Sequence, residues 1–222
     1  MRLFLILLLL AGCARPLTPS EVAFLDSLTG DRLDTSRIRV HPGLVSVTRT
    51  VPVPPRVTCQ SRLYPPNPAR TARGAAPAMT LWNTILVRSD WAAPDLTGGW
   101  PGTLNLDQAM LLAHEAVHVW QWQNREETRY TPFRAFREHA ASADPYLFDP
   151  DTTADFESFG YEQQGAIVEE YLCCRTLAPD ADRTRRLHDM LAEVLPVAPL
   201  STPIPGRVLL PWKGVTVEGI CD

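Results

Sequence analysis

No internal repeat and no long low-complexity segment occurs in the 222-residue chain, which excludes solenoids and repeat arrays. Its apolar run at the start, Leu3 to Ala11, is too short to cross a bilayer as a permanent helix. Dense positive charge is also missing. The arginines are scattered, and the one tight group, Arg183, Arg185 and Arg186, sits among acidic neighbours like a solvated helix face. With a formal net charge of −4, nothing in the composition points to a nucleic acid or another polyanion as partner. No two cysteines show the Cys-x-x-Cys spacing of a zinc finger. What remains is a chain long enough for one domain with a sizeable core.

The opening "MRLFLILLLLAGC" carries Arg2, a short apolar centre and a small-residue ending, the build of a signal peptide. The ending Leu10-Ala11-Gly12-Cys13 resembles the lipobox of bacterial lipoproteins, in which cleavage precedes a cysteine that receives acyl chains. The resemblance implies that residues 1–12 are a leader and that 13–222 form a single domain, tethered through Cys13 and facing the periplasm of the cell envelope. Ala14, which is not an aspartate, favours the outer membrane by the same resemblance. Beyond Cys13 stand Cys59, Cys173, Cys174 and Cys221. An even number in an oxidising compartment indicates two disulfides, with three pairings open and thiolate metal binding as the alternative. A bond between the neighbours Cys173 and Cys174 would be strained, which leaves Cys59 and Cys221 each to reach one of that pair.

Along the chain, "TPSEVAFLDSLTGD" reads as a helix with Thr18 as cap, Pro19 in its first position, Glu21 completing a capping box and Gly30 at its stop. Residues 37–40 and 44–51 read as strands, 52–77 as an irregular proline-rich connection, and 79–88 as one strand with period two. Asn105 and Gln108 open a helix that runs to about Glu127, with Leu106, Met110, Ala113 and Val117 on its apolar stripe. Further helices are expected from Phe133, over about Phe156 to Leu177, and over "DRTRRLHDMLAEVL", with short strands at "GRVLL" and "GVTVEG". The core is expected over about 17–177, with a C-terminal helix and tail over 178–222.

The chemistry concentrates in "LLAHEAVHVWQWQN". In a helix, His114 and His118 lie one turn apart on one face and can offer two imidazole nitrogens to one ion. Glu115 then stands beside the ion, placed to take a proton from an attacking water. A zinc site of this kind needs a third protein ligand. In "GYEQQGAIVEEYL", Glu162, Ala166 and Glu169 share a helix face, and Gly165 and Ala166 are small enough for close approach. Glu162 is the expected ligand and Glu169 the runner-up; Glu170 is expected at the surface. Tyr130, His139 and Tyr161 are the candidates for stabilising an oxyanion, each also readable as packing.

Taken together, "LTPSEVAFLDSLTGDRLDTSRIRVH", "HEAVHVWQWQ" and "YEQQGAIVEEY" resemble the zincin-like metallopeptidases of the gluzincin type, and more narrowly the small alphaproteobacterial "vgr-related" HExxH proteins. The resemblance implies an α+β fold in which a small sheet packs on the HExxH helix and a second helix supplies a ligand. It assigns His114, His118 and Glu162 to zinc, Glu115 to general base, and Gln121 to a polar residue after the second histidine. The activity implied is hydrolysis of peptide bonds in a protein or peptide substrate. A peptidoglycan cross-link endopeptidase and a non-catalytic zinc-stabilised lipoprotein that binds a partner are the alternatives. Segment 52–77, the four cysteines and the tail after Leu177 depart from the family pattern. Cys13→Ser is expected to release the protein from the membrane fraction or block its processing; unchanged fractionation and gel mobility would remove the lipoprotein reading.

Overall fold

Helix α1, Pro19–Thr29, begins where the sequence predicts. Thr18 Oγ1 accepts the Glu21 N–H at 3.1 Å while the Glu21 carboxylate accepts the Thr18 N–H at 2.8 Å, a reciprocal capping box. Glu21 is fully buried, and its two oxygens also accept from Arg15 at 2.7 Å and from the Leu96 N–H at 2.9 Å. One carboxylate thus ties a helix start, the first strand and a distant loop together. The helix ends at Gly30, whose φ of 49° and a would-be Cβ 2.4 Å from Pro196 Cγ both demand glycine. These features belong to a computed structural model that describes residues 14–222; Cys13 and the leader lie outside the described residues.

Strand β1, Arg15–Pro16, pairs antiparallel with β2, Arg39–Pro42. The chain next forms a surface ribbon of β3, Arg49–Pro52, and β4, Thr71–Gly74, with the short helix α2, Cys59–Arg62, between them. A hairpin of β5, Ala78–Leu81, and β6, Thr84–Val87, completes a four-stranded sheet in the order β1-β2-β6-β5, in which β2 and β6 run parallel. β5 is therefore an edge. The single strand expected over 79–88 is thus two strands that turn at Trp82 and Asn83. That dipeptide is no turn signal, and Trp82 takes a positive φ of 56°. Tertiary bonds hold the turn instead: Asn83 O accepts from Arg39 N–H at 2.9 Å, and its side chain accepts from Gln123 at 3.0 Å. The strand expected over 44–51 survives only at its end, because residues 44–48 pair with no strand and leave Val45 and Val47 in water.

β7, Thr103–Asn105, pairs parallel with β8, Arg207–Leu209, and leads into α3, Leu106–Gln123. The sequence shows α3 an apolar stripe, but 14 of its 18 residues are buried, so it is a central helix covered on nearly all sides. β5 and β6 cover one side of it. The short α4, Arg125–Thr128, and α5, Pro132–Ala141, follow, and then α6, Tyr161–Leu177, which packs along α3. α6 starts five residues later than expected, at Tyr161 where Phe156 was predicted, because Gly160 is extended and Glu138 caps the helix from α5. The Glu138 carboxylate accepts the Tyr161 N–H at 3.0 Å and the Glu162 N–H at 3.1 Å. α7, Asp182–Ala192, closes the helical layer. One buried apolar cluster runs from Leu17 through Phe24, Trp120, Phe156 and Leu191 to Cys221. The fold of the described residues is α+β, and none of their helices is long and apolar enough to cross a membrane.

The cysteines pair as Cys59–Cys173 and Cys174–Cys221. Beside them, two expectations fail. Glu170, expected at the surface, is fully buried, and Arg183, expected on a solvated face, is buried with it. Arg183 reaches Glu170 Oε1 at 3.1 Å, Val57 O at 3.1 Å and Asp222 O at 3.0 Å, while Glu170 also accepts the Cys59 N–H at 2.9 Å. The disulfides draw α2 and the tail onto α6, and that enclosure is what buries the pair. Glu170→Ala would leave the buried guanidinium with only the exposed Asp151, at 3.5 Å, as a counter-charge, so it is expected to cost about 3–5 kcal/mol in denaturant unfolding. A loss below about 1 kcal/mol, the ordinary value for exposed pairs, would show that water reaches Arg183.

Candidate metal centre

α3 presents His114 and His118 toward α6, whose first turn presents Glu162 toward them. His114 Nε2 and His118 Nε2 stand 3.2 Å apart, and Glu162 Oε2 lies 3.3 Å from the first and 3.4 Å from the second. A tetrahedral centre with bonds of about 2.0–2.1 Å spaces its ligands at about 3.3 Å. The three donor atoms therefore stand where one ion could bind them all, and this group could hold a metal ion. The three residues are only 4–6 % exposed, so water does little to relieve two nitrogens aimed at each other.

The ligand atoms are fixed from behind. Gln121, fully buried, donates through Nε2 to Tyr161 O at 3.2 Å and to Gln164 Oε1 at 2.8 Å, so its Oε1 can only accept. That oxygen lies 2.8 Å from His118 Nδ1. In the neutral ring the His118 proton then sits on Nδ1, which leaves the Nε2 lone pair aimed into the centre. Glu169 takes the corresponding place behind His114, its Oε1 3.2 Å from Nδ1, as an ion-pair contact whose angle falls short of a directed hydrogen bond. The runner-up ligand is thus on the far nitrogen, outside the triangle. His139, considered from sequence for an oxyanion, instead holds Glu162 Oε1 at 3.0 Å. Glu162 Oε2 alone is left for an ion.

Gly165 sets the distance between the two helices. A Cβ there would meet His114 Cε1 at 2.6 Å, Nδ1 at 2.7 Å and Nε2 at 2.8 Å, so the imidazole lies directly on the glycine Cα. Charge pairing then overrides burial. Burial alone would raise the Glu162 pKa, but His118, His114 and His139 hold it well below the usual carboxylate range. Burial likewise opposes a charged His114 and His118, yet Glu169 and Glu162 raise the first, and Glu162 raises the second.

Glu115 points from the next position of α3 toward the sheet. Its Oε2 accepts from Thr80 Oγ1 at 2.7 Å, and burial raises its pKa despite the nearby histidines and Thr80. Sequence reasoning missed Thr80, because a single strand over 79–88 puts Leu81 in line with Ile85 and Val87, whereas the hairpin puts Thr80 opposite Ile85. It also missed Tyr146, in a loop without motif, whose ring centroid lies 5.7 Å from that of His114 and 5.6 Å from that of His139. Tyr130 stacks on His118 at 5.8 Å, and Tyr161 spends its hydroxyl on Thr128 O at 3.1 Å, so both act as packing. From the proline-rich segment, Tyr64 hydrogen-bonds to Asp107 beside Glu169.

Against known proteins, the chain matches no family model, no curated protein and no solved structure. Geometry alone therefore supports the site. Alanine in a helix interior is ordinarily better than glycine by about 1 kcal/mol. Gly165→Ala is expected to do the reverse, lowering thermal stability and weakening added zinc by roughly tenfold or more through the displaced imidazole. A variant with raised melting temperature and unchanged zinc affinity would show that the close approach is not needed.

Proposed function

We propose that the protein is a zinc-dependent metallopeptidase-like lipoprotein of the bacterial cell envelope, tethered at Cys13, with His114, His118 and Glu162 as zinc ligands and Glu115 as general base. The observation that carries this reading is the donor triangle of 3.2, 3.3 and 3.4 Å, backed on each member by a second side chain. Two imidazoles and one carboxylate suit zinc, whereas calcium and magnesium take oxygen donors in larger number. Zinc held there would polarise a substrate carbonyl and make water a better nucleophile.

The chain's own residues divide the remaining work. Thr80 fixes one oxygen of Glu115, so the other is free to take the proton of an attacking water and return it to the departing amine. A pKa raised by burial suits that exchange, since a strongly acidic carboxyl would be a poor base. Tyr146, whose ring lies against those of His114 and His139, is the side chain we assign to a developing oxyanion. An extended peptide has a guide in β5. Arg88 N–H donates to Pro77 O at 2.9 Å, which marks 77 and 88 as a hydrogen-bonded pair. By alternation Ala78 and Thr80 then turn their N–H and C=O groups away from β6, toward the free edge. Substrate added there would run beside Glu115.

A second reading rests on burial. His114, Glu115, His118 and Glu162 are all buried, as a zinc ion serving only to staple α3 to α6 would require. Four variants separate the two. His114→Ala, His118→Ala and Glu162→Ala are expected to lose zinc and thermal stability, whereas Glu115→Gln keeps near-stoichiometric zinc and abolishes peptide hydrolysis. Glu169→Gln is expected to keep the metal with affinity reduced about 10–100-fold. Zinc-replete wild-type protein without hydrolysis of a proteome-derived peptide mixture would favour the staple; wild-type protein that binds no zinc would end both readings.

A further inference from the structure

Between Asp34 and Asp90 the chain contains no aspartate or glutamate, yet it carries eight arginines, in a protein whose formal net charge is −4. Several are spent internally: Arg56 on Ser61 O and Tyr64 O, Arg62 on Gly219 O and Ile220 O, and Arg88 on Asp90. Arg49, Arg70 and Arg73 are exposed on or beside the β3–β4 ribbon and have no acidic partner among the described residues. Arg49 faces Gly74 and Arg73 faces Thr50 in the register, so arginines stand on both faces. Beside them Val45 is 93 % and Val47 73 % exposed. No residue from 44 to 57 or from 64 to 77 belongs to the core, and a two-stranded ribbon alone is marginal in water.

The start of the described chain joins the body at the same place. β1 runs antiparallel to β2, with Arg15 opposite Val40, so the segment preceding Arg15 enters at the Pro42 end of β2. From that end the chain runs on through Leu44, held by Val87 O at 3.0 Å, into the ribbon. We propose that one face of the ribbon is the membrane-facing surface of the protein, docking on anionic phospholipid through Arg49 and Arg70, which share that face, with Val45 and Val47 entering the interface. The charge selects the partner, and the apolar side chains select a bilayer over a soluble polyanion. The proposal is independent of the zinc site and uses the tether only for the end at which the chain enters.

Every core residue lies at or beyond Leu17, so the chain from Ala14 onward, without acyl groups, is the protein to test. It is expected to sediment with vesicles of about one-third phosphatidylglycerol in phosphatidylcholine, to release as salt is raised, and to ignore pure phosphatidylcholine. Arg49→Gln and Arg70→Gln together should lower partition by about twenty-fivefold, about fivefold per arginine. Arg49→Gln alone should give its fivefold share, which keeps the reading available if the double variant folds poorly. Val45→Ser with Val47→Ser should weaken binding while leaving its salt dependence. Equal binding to both vesicle types, or arginine variants that bind like wild type, would overturn the proposal. So would wild-type protein that binds a short DNA duplex and not the vesicles. Zinc content of the same samples reports on the metal centre separately, and protein without zinc that still prefers anionic vesicles supports the ribbon's role.

Discussion

The contact of the His114 ring with the backbone of Gly165 governs how closely α3 and α6 approach, and the donor triangle that could hold a metal ion forms only at that distance. Glu162 and Glu169 lie on the same side of α6 as Gly165, one turn before and one turn after it. With the imidazole seated between them, one carboxylate reaches Nε2 and the other reaches Nδ1. A larger residue at 165 would move both partners of His114 at once. The residue that a propensity scale rates worst apart from proline is thus the one that the site requires.

α6 is pinned at both ends by groups from elsewhere in the chain. At its start, Glu138 caps the backbone and His139 holds Glu162, so α5 fixes both the helix and its ligand. About three turns on, Cys173 and Cys174 bind the helix to α2 and to the tail. Between these points lie the buried carboxylates, and each has the partners its burial demands: histidines for Glu162, Arg183 and backbone N–H groups for Glu170. Glu21 in α1 follows the same rule with Arg15 and two backbone N–H groups. An ionised group below the surface is tolerable only where several donors converge, so these three carboxylates mark the places where distant segments meet.

Local signals were the legible ones. Thr18, Pro19, Glu21 and Gly30 bracket α1 because a cap needs only its neighbours, and the shared face of His114 and His118 follows from helical periodicity alone. The errors occur where a distant contact decides. Trp82 and Asn83 turn because Arg39 and Gln123 hold them. Glu170 and Arg183 are buried because two disulfides bring α2 and the tail over them. Glu162 and Glu169 were the harder choice: helical spacing puts both on the right face, and only the two sides of one imidazole distinguish them. Tyr146 had no signal at all, since a loop tyrosine gains its position from the chain folded around it.

The distribution of charge ties these local solutions to the whole surface. All the carboxylates near the metal centre, Asp107, Glu115, Glu138, Glu162 and Glu169, come from beyond Asp90, while the stretch before it supplies only arginines. The four-stranded sheet draws its β2, β5 and β6 from that acid-free stretch, so its contribution to the centre is a neutral one, the Thr80 hydroxyl on Glu115. A fixed arginine in that place would pair with Glu115 and lower its pKa, removing the basicity that burial confers. The same stretch can carry exposed arginines in the β3–β4 ribbon because that ribbon takes no part in the core. Positive charge is thereby kept on the surface and out of the centre, where the histidines already balance Glu162.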